Sequence, residues 1–114
     1  MVARNPLLTA PPYAVEQSLK RLGADLRTAR LRRNLSVRDV AQKIGTGPRA
    51  VQDAEKGKPS TSAAVYAALL WTFDLLGQLD AVAAPDRDEE GKILASARDR
   101  QRARRSGGSL SDDF

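Results

Sequence analysis

The stretch RDVAQKIGTGPRAVQDAEKG, residues 38–57, is helix-like at both ends and carries the four residues GTGP in its middle. Gly45 stands where a left-handed residue ends a helix, and Pro48 is tolerated in a helix only in its first turn. The segment after the proline closes on Gly57, a second helix-ending glycine. The sequence therefore predicts one short helix, a tight turn and a second short helix.

Helical periodicity continues on both sides of this turn. Leucines and alanines three and four residues apart mark one helical face over 15–34. Ser36 is an N-cap candidate for the helix before the turn, and residues 60–62 offer N-caps for a fourth helix. A fifth helix is predicted over 74–84, because the residue before Pro85 is pushed out of helical dihedrals. The chain is thus expected to contain five short helices.

The composition favours an all-α protein with one core. Of its 114 residues, 41% are hydrophobic and only 4% aromatic, so the core must be built from aliphatic side chains that suit packed helices. We expect a flexible arm over 1–14, a globular domain over 15–84 and a charged, partly disordered C-terminal tail over 85–114. Within the tail, 86–105 has the composition of a charged helix and 106–109 that of a linker.

The charges are distributed unevenly along the chain, whose net charge is +5. Residues 16–59 carry eleven Lys and Arg against five Asp and Glu, and residues 92–105 carry six basic residues against one Asp. Between them, residues 60–91 carry one Arg against six acids. Two basic regions are therefore separated by an acidic one, and the basic balance favours a polyanionic partner or an acidic protein surface.

Several classes of function lack the residues that they need. The chain has no cysteine and no histidine, which removes disulfides, thiolate metal sites and the commonest acid–base catalyst. No glycine-rich phosphate loop and no paired carboxylates at a pocket are recognisable. We therefore expect no enzyme activity, no metal and no cofactor. No apolar run approaches the roughly 18 residues of a membrane span, so we expect a cytoplasmic, nucleoid-associated protein.

The segment LGADLRTARLRRNLSVRDVAQKIGTGPRAVQDAEKGK, residues 22–58, resembles the Xre family of helix-turn-helix proteins, the lambdoid phage repressor and Cro type. The resemblance is carried by Leu26, the NLS junction at 34–36, the VAQKIG motif before the turn, Val51 and the closing EKG. It implies a five-helix lambda-repressor-like DNA-binding domain, with the charged C-terminal extension added to it.

In this family the helix before the turn crosses the phosphate backbone and the helix after it enters the major groove. The resemblance implies that Arg49, Gln52 and Asp53 read base edges, since such side chains pair with guanine, adenine and cytosine. It also implies a structural ion pair between Arg30 and Glu55. The residues that it implies as phosphate contacts are Ser36, Arg38, Lys43, Thr46, Lys56 and Lys58.

Three residues depart from the family pattern. Pro48 replaces a polar residue that often contacts DNA, Asp53 brings a negative charge toward phosphates, and Ala54 is small where a large aliphatic residue is usual. These departures predict narrow or weak base reading.

A group of large apolar residues after the motif has two open interpretations, core or a surface for a dimer or another partner. Trp71 lies off the inner stripe of its predicted helix, and more large apolar groups follow than a small interior needs. The residues of this group are Trp71, Leu75, Leu76 and Leu79.

These features predict a homodimeric repressor that binds an inverted-repeat operator in double-stranded DNA. The short, charged extension is also similar to that of HipB-like antitoxins, which repress their own operon and bind a HipA-type kinase toxin. The alternatives are a stand-alone phage-type or bacterial Xre regulator, and an adaptor that keeps the fold but binds protein through the surface around Trp71.

Overall fold

The computed structural model describes residues 5–110, and every regular element in that part of the chain is helical. This confirms the all-α fold class. None of these helices is both long and apolar enough to cross a bilayer. Residues 1–4 and 111–114, which belong to the predicted arm and tail, lie outside the described part. The helices are α1 (Pro6–Thr9), α2 (Tyr13–Arg32), α3 (Val37–Ile44), α4 (Pro48–Glu55), α5 (Ala63–Thr72), α6 (Leu76–Asp80) and α7 (Glu89–Leu110), with a 3₁₀ turn at Pro85–Arg87.

The chain forms two compact units that divide between Leu79 and Asp80. In the first unit, α4 packs against α2, α3 and α5, and α5 also packs against α3. In the second unit, the 3₁₀ turn packs against α7. The helix-turn-helix and its supporting helices therefore belong to the first unit.

The helix boundaries agree with the sequence around the turn and differ from it further on. α3 and α4 begin at Val37 and Pro48, as predicted, and the turn between them is confirmed. The fifth helix, predicted over 74–84, is wrong in its length, because α6 has only five residues. Asp74 and Ala83 have φ angles of 60° and 58°, and these left-handed conformations exclude both residues from a helix.

The C-terminal helix is longer than the sequence predicts. The carboxylate of Asp88 accepts from the backbone N–H of Gly91 at 2.9 Å and so caps the start of α7. The helix runs on through 106–109, so the predicted linker at these positions is wrong. Alanine and arginine dominate its middle and have high helix propensity, and each further residue adds one backbone hydrogen bond.

The core of the first unit is built from aliphatic side chains and two aromatic rings. Phe73 and Leu69, at the end of α5, are almost completely buried against Val40 of α3 and Val51 of α4. This cluster joins four helices. Its remaining members are Leu26, Ala29, Ala41, Ala54, Tyr66 and Leu70.

The crossing of α2 and α4 requires glycine. A Cβ atom at Gly23 would lie 2.5 Å from the carbonyl oxygen of Ala54 and 2.6 Å from that of Glu55. A Cβ at Gly57, where φ is +70°, would lie 2.5 Å from the carbonyl oxygen of Leu19. Ala54 is fully buried beside this crossing. Ala54, which is small where the family usually has a large aliphatic residue, therefore lies where the two helix backbones pack closely.

A buried ion pair joins the same two helices. Arg30 donates from Nε to Glu55 Oε2 at 2.6 Å and from Nη2 to Glu55 Oε1 at 3.0 Å. Its Nη1 donates to the backbone carbonyl of Leu35 at 2.9 Å. Both side chains of the pair are 9% exposed. The hydrogen bond with Glu55 raises the pKa of Arg30, and the guanidinium holds α2, α4 and the segment before α3 together.

Arg33, the C-cap residue of α2, has a similar role. Arg33 donates from Nη1 to the carbonyl of Ala29 and from Nη2 to the carbonyl of Phe73, each at 2.9 Å. Its guanidinium carbon also lies 5.3 Å from the centroid of the Phe73 ring. Arg33 therefore satisfies carbonyl groups at the ends of α2 and α5 and ties the two ends together.

We expect Gly23→Ala to destabilise the protein by about 1–3 kcal/mol, because the new methyl group meets backbone atoms that move only if α2 and α4 separate. Gly77→Ala in α6 is the matched control, since a Cβ there has nothing within 4 Å. That change should stabilise its helix by about 0.5–1 kcal/mol. Urea unfolding followed by circular dichroism measures both, and equal stabilities would contradict the close crossing.

We expect Arg30→Met to cost about 3–5 kcal/mol, because it leaves the buried carboxylate of Glu55 without a partner. The double variant Arg30→Met/Glu55→Leu should recover most of that loss. The control is Lys20→Met, which breaks an exposed pair with Glu16 at 2.9 Å and should cost less than about 1 kcal/mol. Denaturant unfolding, from the midpoint and the slope m, gives the free energy of unfolding of all three variants. A double variant less stable than Arg30→Met would contradict this assignment.

Candidate nucleic-acid interface

α4 has one fully buried apolar face and one exposed polar face. Val51 and Ala54 have no exposed surface, whereas Arg49 and Gln52 are exposed. Within residues 5–106, neither of these two polar side chains has a hydrogen-bond or ion-pair partner. The guanidinium and the amide are therefore free to bind a ligand in the first two turns of the helix.

Asp53, the third residue predicted to read bases, is placed differently. Its side chain is 24% exposed, and its Oδ1 lies 3.8 Å from Nζ of Lys58. The backbone N–H of Lys58 also donates to the carbonyl of Asp53 at 3.0 Å. A predicted base contact and a predicted phosphate contact are thus paired with each other, and the pair lowers the net positive charge beyond the end of α4.

Two of the predicted phosphate contacts line one shallow depression on the surface. Arg38, at the start of α3, and Thr46, in the turn, lie around it with Gln42 and Pro48. Arg38 and Gln42 are exposed, and neither has an ion-pair or hydrogen-bond partner within the described part of the chain. Gln42 was missed by sequence reasoning, although it lies one turn after Arg38 on the same helix, a spacing that places the two side chains together.

The start of α3 is capped from within the chain. Ser36 Oγ accepts from the backbone N–H of Asp39 at 3.0 Å, and Asp39 Oδ2 accepts from the backbone N–H of Ser36 at 3.0 Å. These hydrogen bonds hold the pKa of Asp39 below its ordinary value. Ser36, a predicted phosphate contact, is thus engaged in the capping box of its own helix, and the carboxylate of Asp39 takes up the backbone N–H of Ser36.

Lys43, another predicted phosphate contact, lies over the ring of Trp71. Its Nζ is 5.4 Å from the ring centroid. Trp71 is 55% exposed, so the cation–π contact leaves part of the indole facing solvent. The structure thereby connects the predicted DNA surface of α3 with the predicted partner surface of α5.

The predicted partner surface is smaller than the sequence indicates. Leu75 and Leu76 are half-buried and pack against the core cluster, after a turn in which Asp74 takes a left-handed conformation. Trp71 and Leu79, which is 39% exposed, are the members of the group that remain at the surface. Leu75 and Leu76 therefore belong with the core, and a dimer or partner surface stays a prediction for Trp71 and Leu79.

Residues 8–11, which belong to the predicted N-terminal arm, lie beside the end of α4. Asn5 Oδ1 accepts from the backbone N–H of Leu7 at 3.0 Å and caps the short helix α1. Leu8, at the end of that helix, lines a cleft with Lys56 and Lys58. Of these two predicted phosphate contacts, Lys56 is exposed and has no ion-pair partner within the described residues.

The family model of the helix-turn-helix domain matches residues 21–83, which is more than half of the chain. The matched region runs from α2 through α6 and includes both helices and the turn that the sequence predicts. Neither a curated protein nor a solved structure gives a match. The extent of the family match agrees with the buried contacts that join α2, α3, α4 and α5. The chain belongs to the helix-turn-helix domain family.

Proposed function

We propose that this protein is a transcriptional repressor that binds a specific double-stranded DNA sequence, an inverted repeat, as a homodimer. The observation that carries the proposal is the geometry of α4. This helix buries Val51 and Ala54 in the core and holds the unpaired side chains of Arg49 and Gln52 at the surface. A guanidinium and an amide are the groups that form bidentate pairs with guanine and adenine in the major groove.

The surroundings of α4 support the same proposal. Three predicted phosphate contacts surround α4: Arg38 at the start of α3, Thr46 in the turn between α3 and α4, and Lys56 just after α4. When a helix lies in the major groove, phosphates flank it at such positions. Arg38 and Lys56 are exposed. Arg30 and Glu55 fix the angle of α4 from inside the protein. The interface therefore combines positioning cations with a rigidly held reading helix.

A narrower form of the proposal makes the protein the antitoxin of a HipA-type kinase toxin, with which it would repress their shared operon. Its support is the charged C-terminal extension, which lacks the composition of a ligand-binding domain and resembles that of HipB-like antitoxins. Copurification with a kinase-like product of a neighbouring gene distinguishes this form from a stand-alone Xre-type regulator.

The second candidate function is an adaptor that binds another protein. The exposed indole of Trp71, with Leu79 nearby in sequence, favours it, and so does the pairing of Asp53 with Lys58, which withdraws two residues from the predicted DNA contacts. A gel-shift series against random duplex separates the two candidates. An adaptor shows no binding even at low salt, because it lacks the electrostatic affinity of a DNA-binding surface.

We expect Arg49→Ala and Gln52→Ala each to lose about 1–3 kcal/mol of discrimination against the wrong base at one operator position. Selection of duplexes from a randomised pool, with wild type and with each variant, measures the preference. Arg27→Ala and Gln78→Ala are the controls, because they remove an exposed arginine and an exposed glutamine outside the helix-turn-helix. Variants of α4 that select the wild-type sequence would contradict the base-reading role.

We expect Asp53→Asn to strengthen binding to random duplex and to steepen the slope of log affinity against log salt by about 1. The substitution removes a negative charge from α4 and releases Lys58 from its ion pair. Asp25→Asn is the matched control, since Asp25 is exposed on α2 and has no ion pair within the described residues. Fluorescence anisotropy over a salt series measures both. Equal shifts for the two variants would show that total charge matters and position does not.

A further inference from the structure

The second half of α7 carries a dense group of cations that the helix-turn-helix does not use. Five arginines stand within eight residues of this helix, and all are exposed. Within the described residues, none of the five forms an ion pair, whereas Lys92, near the start of the same helix, is paired with Glu89 at 3.3 Å. The five residues, called here the arginine cluster, are Arg98, Arg100, Arg102, Arg104 and Arg105.

The arginine cluster occupies two opposite faces of the helix. Arg98, Arg102 and Arg105 follow i, i+4 and i+7 spacing and share one face. Arg100 and Arg104 are also four residues apart, and at about 100° per residue they lie roughly 200° and 240° around the axis from Arg98. Positive charge therefore projects from both sides of α7.

Positive charge on two opposite faces of the helix favours duplex DNA over an acidic protein surface as its partner. A flat acidic protein surface meets one face of a helix and leaves the other in solvent. The major groove of duplex DNA is about 12 Å wide, close to the diameter of a helix, and has a phosphate ridge on each side. A helix seated there brings opposite faces near opposite strands.

The composition of the cluster agrees with this distinction. Protein interfaces have an apolar, largely aromatic centre that is depleted in charge. Residues 98–105 contain Ala103 as their sole apolar residue. Arginine forks bind phosphate oxygens in bidentate geometry, and phosphate contacts need no apolar centre.

We propose that the arginine cluster of α7 binds the phosphate backbone of duplex DNA on both strands, without reading sequence. The inference rests on the proposed function in one respect, namely that the helix-turn-helix brings the chain to duplex DNA. Once that unit is bound, covalent linkage raises the effective concentration of α7 near neighbouring phosphates. The cluster therefore adds affinity and salt dependence, while sequence choice remains with α4.

The test is the salt dependence of binding to a random-sequence duplex, measured on the full chain by fluorescence anisotropy. Each lost phosphate contact reduces the slope of log affinity against log salt by about 0.9. We expect Arg100→Gln/Arg104→Gln to reduce the slope by about 2, and Arg98→Gln/Arg102→Gln/Arg105→Gln to reduce it by about 3. Glutamine keeps the helix propensity of the segment, and circular dichroism checks that α7 persists.

Two controls separate position from total charge. Lys92→Gln removes one cation from the same helix, at the ion-paired end, and should leave the slope unchanged. Replacement of all five arginines by lysine keeps the charge and should keep most of the slope. If Lys92→Gln reduces the slope as much as one arginine does, net charge explains the effect and the proposal is overturned.

The remaining outcomes also decide the question. An effect from one face alone overturns the two-strand contact. Unchanged duplex slopes, with loss of binding to poly-glutamate in the same variants, assign the cluster to an acidic protein surface and overturn the proposal. Failure of the proposed function looks different: Arg49→Ala would keep the wild-type sequence preference, whatever the arginine variants of α7 do.

Discussion

The contact between α2 and the end of α4 is the constraint on which the rest of the first unit depends. Gly23 and Gly57 let the two backbones touch, and the pair of Arg30 with Glu55 crosses the same junction with two hydrogen bonds. An isolated helix of eight residues is unstable in water. α4 therefore owes both its existence and its direction to this junction, and so does every side chain that it presents to solvent.

This junction explains a departure that the sequence alone leaves unexplained. Ala54 is small where the family has a large aliphatic residue, and in the structure it is fully buried where the backbones of α2 and α4 meet. Because Ala54 has no exposed surface, a larger side chain at this position would have to displace its neighbours in the core. The small residue is thus a feature of packing, and it implies nothing about DNA.

Local chemistry could be predicted from the sequence, whereas long-range contacts could not, apart from the Arg30–Glu55 ion pair that the family resemblance implies. The cap at Ser36, the left-handed Gly45 and the start at Pro48 each follow from neighbouring residues, so the helix-turn-helix was predictable. Gly23 gave no such signal, because the carbonyl group that it meets belongs to Ala54, in another helix. The same holds for Arg33, whose carbonyl partner at Phe73 is 40 residues distant.

The candidate site shows the same division. The exposure of Arg49 and Gln52 follows from helical periodicity once Val51 is assigned to the core. The ion pair between Asp53 and Lys58 depends on how the chain turns after α4, and residue types do not reveal that turn. The short length of α6 could not be predicted for a related reason. Asp74 and Ala83 have positive φ angles in the structure, but neither residue type requires that conformation, so the sequence carries no sign of it.

The pairing of Asp53 with Lys58 bears on why the proposed repressor would act as a dimer. With Asp53 engaged, one copy of α4 offers Arg49 and Gln52 as its unpaired readers, and each bidentate pair discriminates by about 1–3 kcal/mol. Specific DNA binding typically exceeds nonspecific binding by about 4–10 kcal/mol. One copy reaches only the lower part of that range, whereas two copies on an inverted repeat double the number of bases read. Sequence choice at a single operator would therefore require both recognition helices.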